Sequence, residues 1–487
     1  MRLIKSFILL GASVATLAAC AAGPDYRRPA PPAGAEGGFV AARPSIVAPD
    51  APRGDWWRLY DDPVLDRLVA DALRANTDLR VAVANWERAR ALLRESRTLA
   101  LPQTAVDASG TRNRFSELQR APGIPAEDWR VDAGLSISYE VDLFGRVKRS
   151  IEASRADADA AAAAADAMRV SIVAETVRAY ADASSAAERI AVAERTLALL
   201  DQTVRLTTKR FEAGRTSRLD VSRAGALRNQ QLATLSPLRA QRDAALFRLA
   251  LLTGRIPADL PPEVGQRAAT LRLDRPLPVG DGRALLARRP DVREAERKLA
   301  AQTARIGVAT ADLYPRISLG GSIGSTGNGV GDMFGAGPLR WVLGPLLSWA
   351  FPNIEGGRAR VAQAEATTRA ALASFDRAIL RALQETETAL SAYTHALDQR
   401  QALRNAAEQA RIAANISRAQ LREGRVDFLT VLDAERTLAS TEADLAEIDA
   451  AVAARQIDLF RALGGGWQQD NAPGSQADRE APAATAR

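Results

Sequence analysis

Two very long segments of the chain lack both glycine and proline and are rich in alanine, leucine, arginine, glutamate and glutamine. They run from Arg146 to Ala213 and from Arg358 to Glu423, and their residue types are strong helix formers. Apolar residues within them recur at alternating steps of three and four, a 3.5-residue period that is typical of helices packed side by side as in coiled coils. At about 1.5 Å per residue, each segment would form a helix roughly 100 Å long.

Each long segment ends at a Gly-Arg pair, Gly214-Arg215 in the first and Gly424-Arg425 in the second. Glycine commonly terminates helices, so we expect the chain to reverse there into a second helix. This predicts two antiparallel helical hairpins per chain. Pro237 should bend the return helix of the first hairpin.

Strict alternation of apolar and polar residues predicts strands ahead of each long helix. The first such stretch ends near Asp142 and carries its apolar residues at Val131, Ala133, Leu135, Ile137, Tyr139 and Val141. Thr104–Phe115 is predicted to be its hairpin partner. A second hairpin is predicted at about 316–351. This alternation, with aromatic residues near the strand ends, is typical of membrane β-barrels, although a soluble antiparallel sheet with one buried face gives the same pattern.

The two halves of the chain carry the same landmarks in the same order, which indicates an internal duplication. The spacing between two landmarks is the same in both halves: from Asp78-Leu79-Arg80 to Leu101-Pro102 in the first, and from Asp291-Val292-Arg293 to Tyr314-Pro315 in the second. Gly145-Arg146 corresponds to Gly357-Arg358, and the Gly-Arg turns correspond to each other.

These patterns divide the chain into six predicted segments. Residues 1–19 are a signal peptide and 20–55 a Pro-, Ala- and Gly-rich tether. Repeat 1 covers 56–255, with a β-hairpin at about 103–142 and a helical hairpin at about 145–253. A proline-rich linker follows at 256–282. Repeat 2 covers 283–467, with a helical hairpin at about 357–463, and 468–487 is a disordered tail.

The first residues predict export. Arg2 and Lys5 precede an apolar stretch from Phe7 to Leu17, which is too short to span a bilayer and is typical of a cleaved signal. Leu17-Ala18-Ala19-Cys20 resembles the bacterial lipoprotein processing box, which implies a lipid on Cys20. The alternative is an ordinary cleavage site beside an incidental cysteine.

The composition argues against several classes of function. Cys20 is the only cysteine and His395 the only histidine, so we predict no enzyme, no metal site and no cofactor apart from the covalent lipid. The net charge is +7, but arginine is scattered beside acidic residues rather than concentrated on one stripe. A nucleic-acid partner is therefore not predicted.

If the predicted strands span a membrane, the four strands of one chain are too few, and more than one copy of the chain is required. No stretch of about 20 apolar residues follows the signal, so a crossing would have to use strands. Four strands cannot close a barrel, for which about eight is the minimum, and open edges are not tolerated in hydrocarbon. Three chains would supply twelve strands and a tube of twelve helices.

Taken together, the sequence resembles the TolC-like outer-membrane efflux factors, in particular the lipoprotein branch associated with resistance–nodulation–division (RND) pumps. The resemblance is carried by Gly23-Pro24-Asp25-Tyr26, Asp55-Trp56-Trp57, Asp62-Pro63, Arg289-Pro290-Asp291-Val292-Arg293, Leu313-Tyr314-Pro315 and Ala462-Leu463-Gly464-Gly465-Gly466-Trp467. It implies a fold that is mainly α with membrane β: a homotrimeric, 12-stranded outer-membrane β-barrel continuous with a long periplasmic α-helical barrel.

The same resemblance implies a function and partners. The protein would lie in the outer membrane, anchored to its lipid and extending into the periplasm. It would be the passive channel subunit of a tripartite efflux system, working with a periplasmic adaptor protein and an inner-membrane RND-type pump. A duct for type I protein secretion and a lipid-anchored coiled-coil scaffold without a pore are the alternatives.

The resemblance also implies site residues near the two turns. Leu429 and Asp433 would form the periplasmic gate, with Leu429 as a dry constriction and three Asp433 carboxylates as an anionic ring. An alternative for Asp433 alone is a solvated helix-face carboxylate. The predicted adaptor-contact tips are Gly214, Arg215, Leu219, Asp220, Gly424 and Arg425, although both glycines could simply end a helix. Asp220 stands where the second repeat has Thr430.

Overall fold

The computed structural model of this protein describes residues 21–50, 53–114, 116–118, 120, 122–123, 125–334, 337 and 339–466. The predicted signal peptide, the predicted lipidation site Cys20, Trp467 and the predicted disordered tail 468–487 lie outside the described residues. None of the helices in the described ranges has the length and the apolarity needed to cross a bilayer.

The first repeat contains a helix pair, a β-hairpin and a long helical hairpin. A two-residue strand, β1, precedes it at Val47–Ala48. Its elements are α1 (Pro63–Ala75), α2 (Thr77–Thr98), β2 (Gln103–Arg114), β3 (Glu127–Val141), α3 (Arg146–Glu212), α4 (Arg218–Ala233) and α5 (Leu235–Leu252). Short 3₁₀ turns lie at Trp56–Tyr60, Pro257–Asp259 and Pro262–Gly265.

The second repeat has the same order of elements. It follows a two-residue strand, β4 (Leu277–Pro278), and comprises α6 (Gly282–Arg288), α7 (Pro290–Ala311), β5 (Arg316–Gly327), β6 (Leu339–Ser348), α8 (Glu355–Arg422) and α9 (Phe428–Ala462). The corresponding lengths agree closely: α2 and α7 have 22 residues each, and α3 and α8 have 67 and 68. The repeated order supports the duplication inferred from the landmarks.

The return helix of the first hairpin is interrupted close to the predicted proline. Helix α4 ends at Ala233 and α5 begins at Leu235, with Thr234 between them. Pro237 lies in the first turn of α5, where its missing N–H costs little. Its ring would clash with a helical carbonyl four residues earlier, at Ala233, which accounts for the break.

The start of the second long helix differs from the prediction. Gly145 lies before α3 with a φ of 76°, but α8 already begins at Glu355, so Gly357 is inside its first turn. A Cβ on Gly357 would lie 2.6 Å from Leu313 Cδ2. Gly357 therefore packs closely against the Leu313 side chain, and it does not precede the helix as its counterpart does.

The chain forms two compact units. The strand unit comprises Ala84–Ala162, Arg293–Arg377 and the segment ending at Ala30; the helical unit comprises Pro31–Val83, Ala163–Val292 and the residues from Ala378 onward. The strand unit contains one four-stranded antiparallel sheet in the order β2-β3-β5-β6.

The helical unit buries apolar residues along its long helices. Ile379, Thr386, Leu390 and Tyr393, which follow the predicted seam of α8, are all buried. Trp56 stacks on Phe460 with ring centroids 4.7 Å apart. The buried positions on α8 agree with the three- and four-residue steps of coiled-coil packing.

The predicted tether is docked along its length. In the helical unit, Ala35 and Phe39 are buried, and Val47 pairs in parallel with Leu277. The carboxylate of Glu387 accepts hydrogen bonds from the backbone N–H groups of Val40 and Ala41, at 2.7 and 2.9 Å. The segment contains several hydrogen-bonded turns, and specific contacts hold it in place.

Candidate functional site

One face of the four-stranded sheet is apolar and exposed. The register places Val106, Leu135, Ile323 and Trp341 in one row across the four strands. The exposed fraction of Trp341 is 72% and that of Leu343, in the next row, is 75%. A contiguous exposed apolar face of this kind marks a membrane or protein contact.

The opposite face of the sheet is polar over much of its area. Thr326 donates a hydrogen bond to Asp132 at 2.6 Å, and Arg340 donates one to Thr326 at 2.9 Å. Strand β6 departs from the alternation, because Val342 and Leu346 on this second face are also apolar and exposed. An apolar outer face with a polar inner face is the arrangement that strands in a bilayer require.

Aromatic side chains lie where the strands meet the helices of the strand unit. Phe144 stacks on Tyr314 with ring centroids 4.5 Å apart, and Trp349 stacks on Phe351 at 4.7 Å. Trp349 Nε1 donates a hydrogen bond to the carbonyl of Leu313 at 3.1 Å. Tyrosine and tryptophan favour membrane–water boundaries, where an apolar ring and a polar atom are both satisfied. We call these four aromatic residues the aromatic belt.

Both Gly-Arg turns close their helices in the same way. Gly214 and Gly424 have φ values of 70° and 73°, a left-handed conformation that glycine adopts without steric cost. The N–H of Arg215 bonds to the carbonyl of Arg210 at 2.8 Å, and that of Arg425 bonds to the carbonyl of Gln420 at 2.8 Å. These six-to-one bonds complete a Schellman motif at each turn, so both glycines have a demonstrable structural role.

The two helices that follow the turns are capped by different residue types. The N-cap of α4 is a hydroxyl residue and its partner three positions later is a carboxylate, whereas in α9 the N-cap is the carboxylate and the partner is the hydroxyl. Ser217 caps α4, and Asp220 three residues later completes a capping box. In the second repeat Asp427 is the cap of α9, and Thr430 donates both its N–H and its hydroxyl to Asp427, at 2.9 and 2.6 Å. Hydrogen bonds from Ser217 and Thr216 lower the pKa of the Asp220 carboxyl. Asp220 therefore serves the helix terminus.

The remaining predicted tip residues are at the surface. Leu219 is 56% exposed, and Arg215 is exposed. Arg425, also exposed, pairs with Glu423 at 3.0 Å. Their role in adaptor contact stays a prediction.

The predicted gate residues share one exposed face of α9. Leu429 is 50% exposed, and Asp433 one turn later is also exposed. Val431 and Leu432 lie on the opposite, buried side, where Leu432 packs with Leu200 and Leu227. Leu429 and Asp433 thus project from a helix whose other face is fixed, and their role as a gate stays a prediction.

Sequence reasoning missed Glu435, two residues beyond Asp433. This carboxylate is only 4% exposed. Thr203 donates its hydroxyl to both carboxylate oxygens, at 2.9 and 3.0 Å, and Arg418 Nε donates at 3.2 Å. Burial raises the pKa of Glu435. The signal was present, because Glu435 falls on the buried stripe that Val431 and Leu438 define.

Comparison with known proteins establishes the family. The family model for the outer membrane efflux protein matches residues 68–255 and 282–465, one stretch in each half of the chain. This chain belongs to the outer membrane efflux protein family. Its matched ranges lie within or close to the two predicted repeats.

Individual relatives agree along nearly the whole chain. It is 35% identical to the outer membrane protein OprJ of Pseudomonas aeruginosa over 462 residues, which cover 93% of this chain and 94% of OprJ. It is 30% identical to the solvent efflux pump outer membrane protein SrpC of Pseudomonas putida, over 93% of this chain and 96% of SrpC. The solved outer-membrane channel OprN superposes with a TM-score of 0.86 and 36% identity, covering 92% of this chain and all of that chain.

These likenesses confirm the predicted fold class and the predicted function, an outer-membrane channel subunit of an efflux system. They also support location in the outer membrane. The relatives are channel and efflux proteins.

Proposed function

We propose that three copies of this chain form a closed outer-membrane duct that conducts small molecules outward from a periplasmic adaptor protein and an inner-membrane RND-type pump. The observation that carries the proposal is the sheet with an exposed apolar face and two unpaired edges. Within the described chain, β2 and β6 each have a single neighbour. Edge backbone groups have to be paired inside a membrane, and pairing β2 of one copy with β6 of the next would do so.

Three copies would contribute twelve strands, more than the eight or so that a barrel needs, and twelve helices in the periplasm. The exposed apolar strand face disfavours the coiled-coil scaffold, which has no use for it. A lipid on Cys20 would anchor each copy to the outer membrane.

In this proposal the duct is a passive conduit without enzymatic activity or a cofactor other than the lipid. Energy for transport comes from the pump, and the adaptor shifts the duct from a closed to an open state at the tips. At rest, Leu429 and Asp433 from three copies close the periplasmic end as an apolar ring and an anionic ring.

Conductance measurements in planar bilayers test both the duct and its gate. The purified full-length protein should conduct weakly, and Asp433→Ala should raise its conductance because the anionic ring is lost. Asp444→Ala is the matched control, since Asp444 is an exposed carboxylate three turns further along the same side of α9. Absence of current from both the wild type and the Asp433 variant would refute the duct. Equal effects of the two variants would refute the assignment of the gate.

A further inference from the structure

The segment that follows Cys20 is bound to the strand unit by a set of specific contacts. The N–H of Ala22 donates a hydrogen bond to the carbonyl of Phe144 at 2.9 Å. Phe144 belongs to the aromatic belt, so the segment begins directly beside it. A Cβ on Gly145 would lie 2.6 Å from the Cβ of Ala21, which shows how closely the two backbones approach.

Arg149 is the centre of this docking site. Its side chain is 4% exposed, and its guanidinium donates to the carbonyls of Ala22 and Gly23 at 3.3 and 3.4 Å. The same guanidinium pairs with Asp25 at 2.6 Å and with Glu152 at 2.8 Å. A buried arginine with its donors directed at one short peptide segment is a recognition element.

Glycine is needed in both segments at the point where their backbones approach most closely, at Gly23 and at Gly307. Gly23 has a φ of 82°, and a Cβ on it would lie 2.5 Å from the Cα of Gly307. A Cβ on Gly307 would in turn lie 2.7 Å from Arg149 Cγ and 2.8 Å from the carbonyl oxygen of Ala22. Any side chain at either glycine would displace the segment.

Tyr26 secures the far end of the segment. Its hydroxyl donates a hydrogen bond to Glu296 at 2.5 Å, and its ring packs on the buried alanines Ala156, Ala300 and Ala301. The guanidinium of Arg297 lies 5.9 Å from the ring centroid. Every residue of Gly23-Pro24-Asp25-Tyr26 except the proline thus has a defined partner.

We propose that Gly23–Tyr26 is a docking peptide that Arg149 holds at the aromatic belt, so that a lipid on Cys20 enters the membrane at the foot of the strands. The anchor then has a fixed depth and a fixed place relative to the sheet. Without docking, the lipid would lie at the end of a flexible chain whose reach grows with its length. Arg149 is a positioning residue in this arrangement. The inference rests on the lipidation of Cys20 proposed above.

Hydrogen exchange of the peptide 21–29 tests the docking in full-length protein reconstituted into phosphatidylethanolamine–phosphatidylglycerol vesicles. Arg149→Ala should accelerate exchange about tenfold, because release of the segment then no longer costs the free energy of the hydrogen bonds to the guanidinium. Arg155→Ala is the matched control, since Arg155 is an exposed arginine of the same helix. Equal exchange in both variants and the wild type would overturn the proposal.

A second pair of variants keeps the proposal testable if Arg149→Ala does not fold. Gly23→Ala should also release the segment. Gly34→Ala is its control, because Gly34 has a similar φ of 84° but no atom within 4 Å of an added Cβ. If the two variants exchange alike in 21–29, close approach to Gly307 does not hold the segment and the proposal fails.

The depth of the segment is the readout that a purely structural role would not change. Cys20 is the only cysteine and its sulfur would carry the proposed lipid, so Arg27→Cys would provide a single free thiol for a nitroxide. The wild-type background should give an immobile label at the membrane surface, and Arg149→Ala a mobile label with several-fold greater access to a water-soluble relaxer. An unchanged label in the Arg149 variant would overturn the proposal.

Mass spectrometry of the N-terminal peptide separates this inference from the lipid anchor. If the acyl mass is missing while exchange responds to Arg149→Ala, the anchor is wrong and the role assigned to Arg149 in placing a lipid falls with it, although the docking contacts stand. If the acyl mass is present and neither exchange nor label depth responds, this inference fails alone.

Discussion

Thr203 and Glu435 join the first long helix to the return helix of the second repeat. The Thr203 hydroxyl lies 2.9 Å from one Glu435 carboxylate oxygen and 3.0 Å from the other, although 232 positions separate the two residues in the chain. Arg418 of α8 binds the same carboxylate. One buried group therefore connects α3, α8 and α9, two residues from the predicted gate carboxylate Asp433.

We predict that Glu435→Ala raises the conductance of the purified duct. The substitution removes the buried carboxylate that accepts from both Arg418 and Thr203, and losing a partner of a buried polar group costs about 1–3 kcal/mol. If α9 moves when the duct opens, this loss should destabilise the closed state relative to the open state. Single-channel recording in planar bilayers measures the change in the open fraction.

Glu442→Ala is the control for this prediction. Glu442 also lies on α9 and pairs with an arginine of α8, Arg411 at 3.0 Å, but both side chains are more exposed than those of Glu435 and Arg418. Exposed pairs contribute little, so Glu442→Ala should leave the open fraction unchanged. A Glu435 variant that behaves like the Glu442 variant would show that the buried contact does not restrain the gate.

Glu435 should also make stability depend on pH in a definite direction. Its folded-state pKa is raised by burial, so the unfolded chain ionises first as pH rises. Stability is then lost as pH rises from the ordinary carboxyl value of 4.5 towards the raised folded value. Glu435→Gln should remove this component. The check is the difference in melting temperature between wild type and variant as a function of pH, which should vary across this window and level off above it.

Removal of the N-cap of α4 and removal of the N-cap of α9 should destabilise the first turn of each helix to a similar extent, although one cap is a hydroxyl and the other a carboxylate. Ser217→Ala removes the cap of α4 and Asp427→Ala that of α9, each at about 1 kcal/mol. Hydrogen exchange in the first turn of the corresponding helix should rise about fivefold in each case. Ser222→Ala is the control, because Ser222 is an exposed hydroxyl of α4 outside the cap. A global rather than local increase in exchange would contradict the prediction.

Acid should weaken the first cap through Asp220. Hydrogen bonds lower the folded-state pKa of this carboxyl, so its contribution is present above the ordinary value of 3.8 and is lost as pH falls through the folded value. Exchange in the first turn of α4, corrected for its intrinsic pH dependence, should therefore rise below pH 3.8 in the wild type. Asp220→Asn should show the faster corrected rate already at neutral pH.

Local sequence signals predicted most of the elements. The ends of α3 at Glu212 and of α8 at Arg422 follow from the glycines two residues on, because the left-handed turn needs glycine. The alternation through Val131–Val141 predicted β3, since a half-exposed strand has a period of two. These features depend on neighbours within a few residues, which a single sequence contains.

Contacts between distant segments could not be predicted in this way. Arg149 and Asp25 are 124 positions apart, and nothing in the local pattern of either residue selects the other. The tether composition predicted an extended chain but not its docking, because docking depends on a surface made by other elements. The rings of Leu429 and Asp433 depend on neighbouring copies as well, so their role stays a prediction.

Arg289 offers the sharpest test of the core of the helical unit. It is 7% exposed and donates to the carbonyl of Ala462 at 2.8 Å, to Asp291 at 2.7 and 3.0 Å, and to Glu385 at 2.7 Å. It thereby joins the end of α9 to the start of α7 and to α8. Arg289→Ala removes the charged donor that Asp291, Glu385 and the Ala462 carbonyl share. Losing the partner of a buried polar group costs about 1–3 kcal/mol, and more when the lost partner is charged.

Arg381→Ala separates this role from a general loss of positive charge. Arg381 also pairs with Glu385, at 2.8 Å, but its side chain is 72% exposed, so its removal should cost less than about 1 kcal/mol. Burial alone would raise the pKa of Glu385, but hydrogen bonds from Arg289 and Arg381 outweigh it and hold the pKa below the ordinary value. The stability from this carboxylate is thus present above pH 4.5 and is lost as pH falls through the lowered folded-state pKa. Thermal unfolding at neutral pH should show a large drop in melting temperature for Arg289→Ala and a small one for Arg381→Ala. Equal drops would mean that the buried contacts of Arg289 add nothing to stability beyond the effect of its charge.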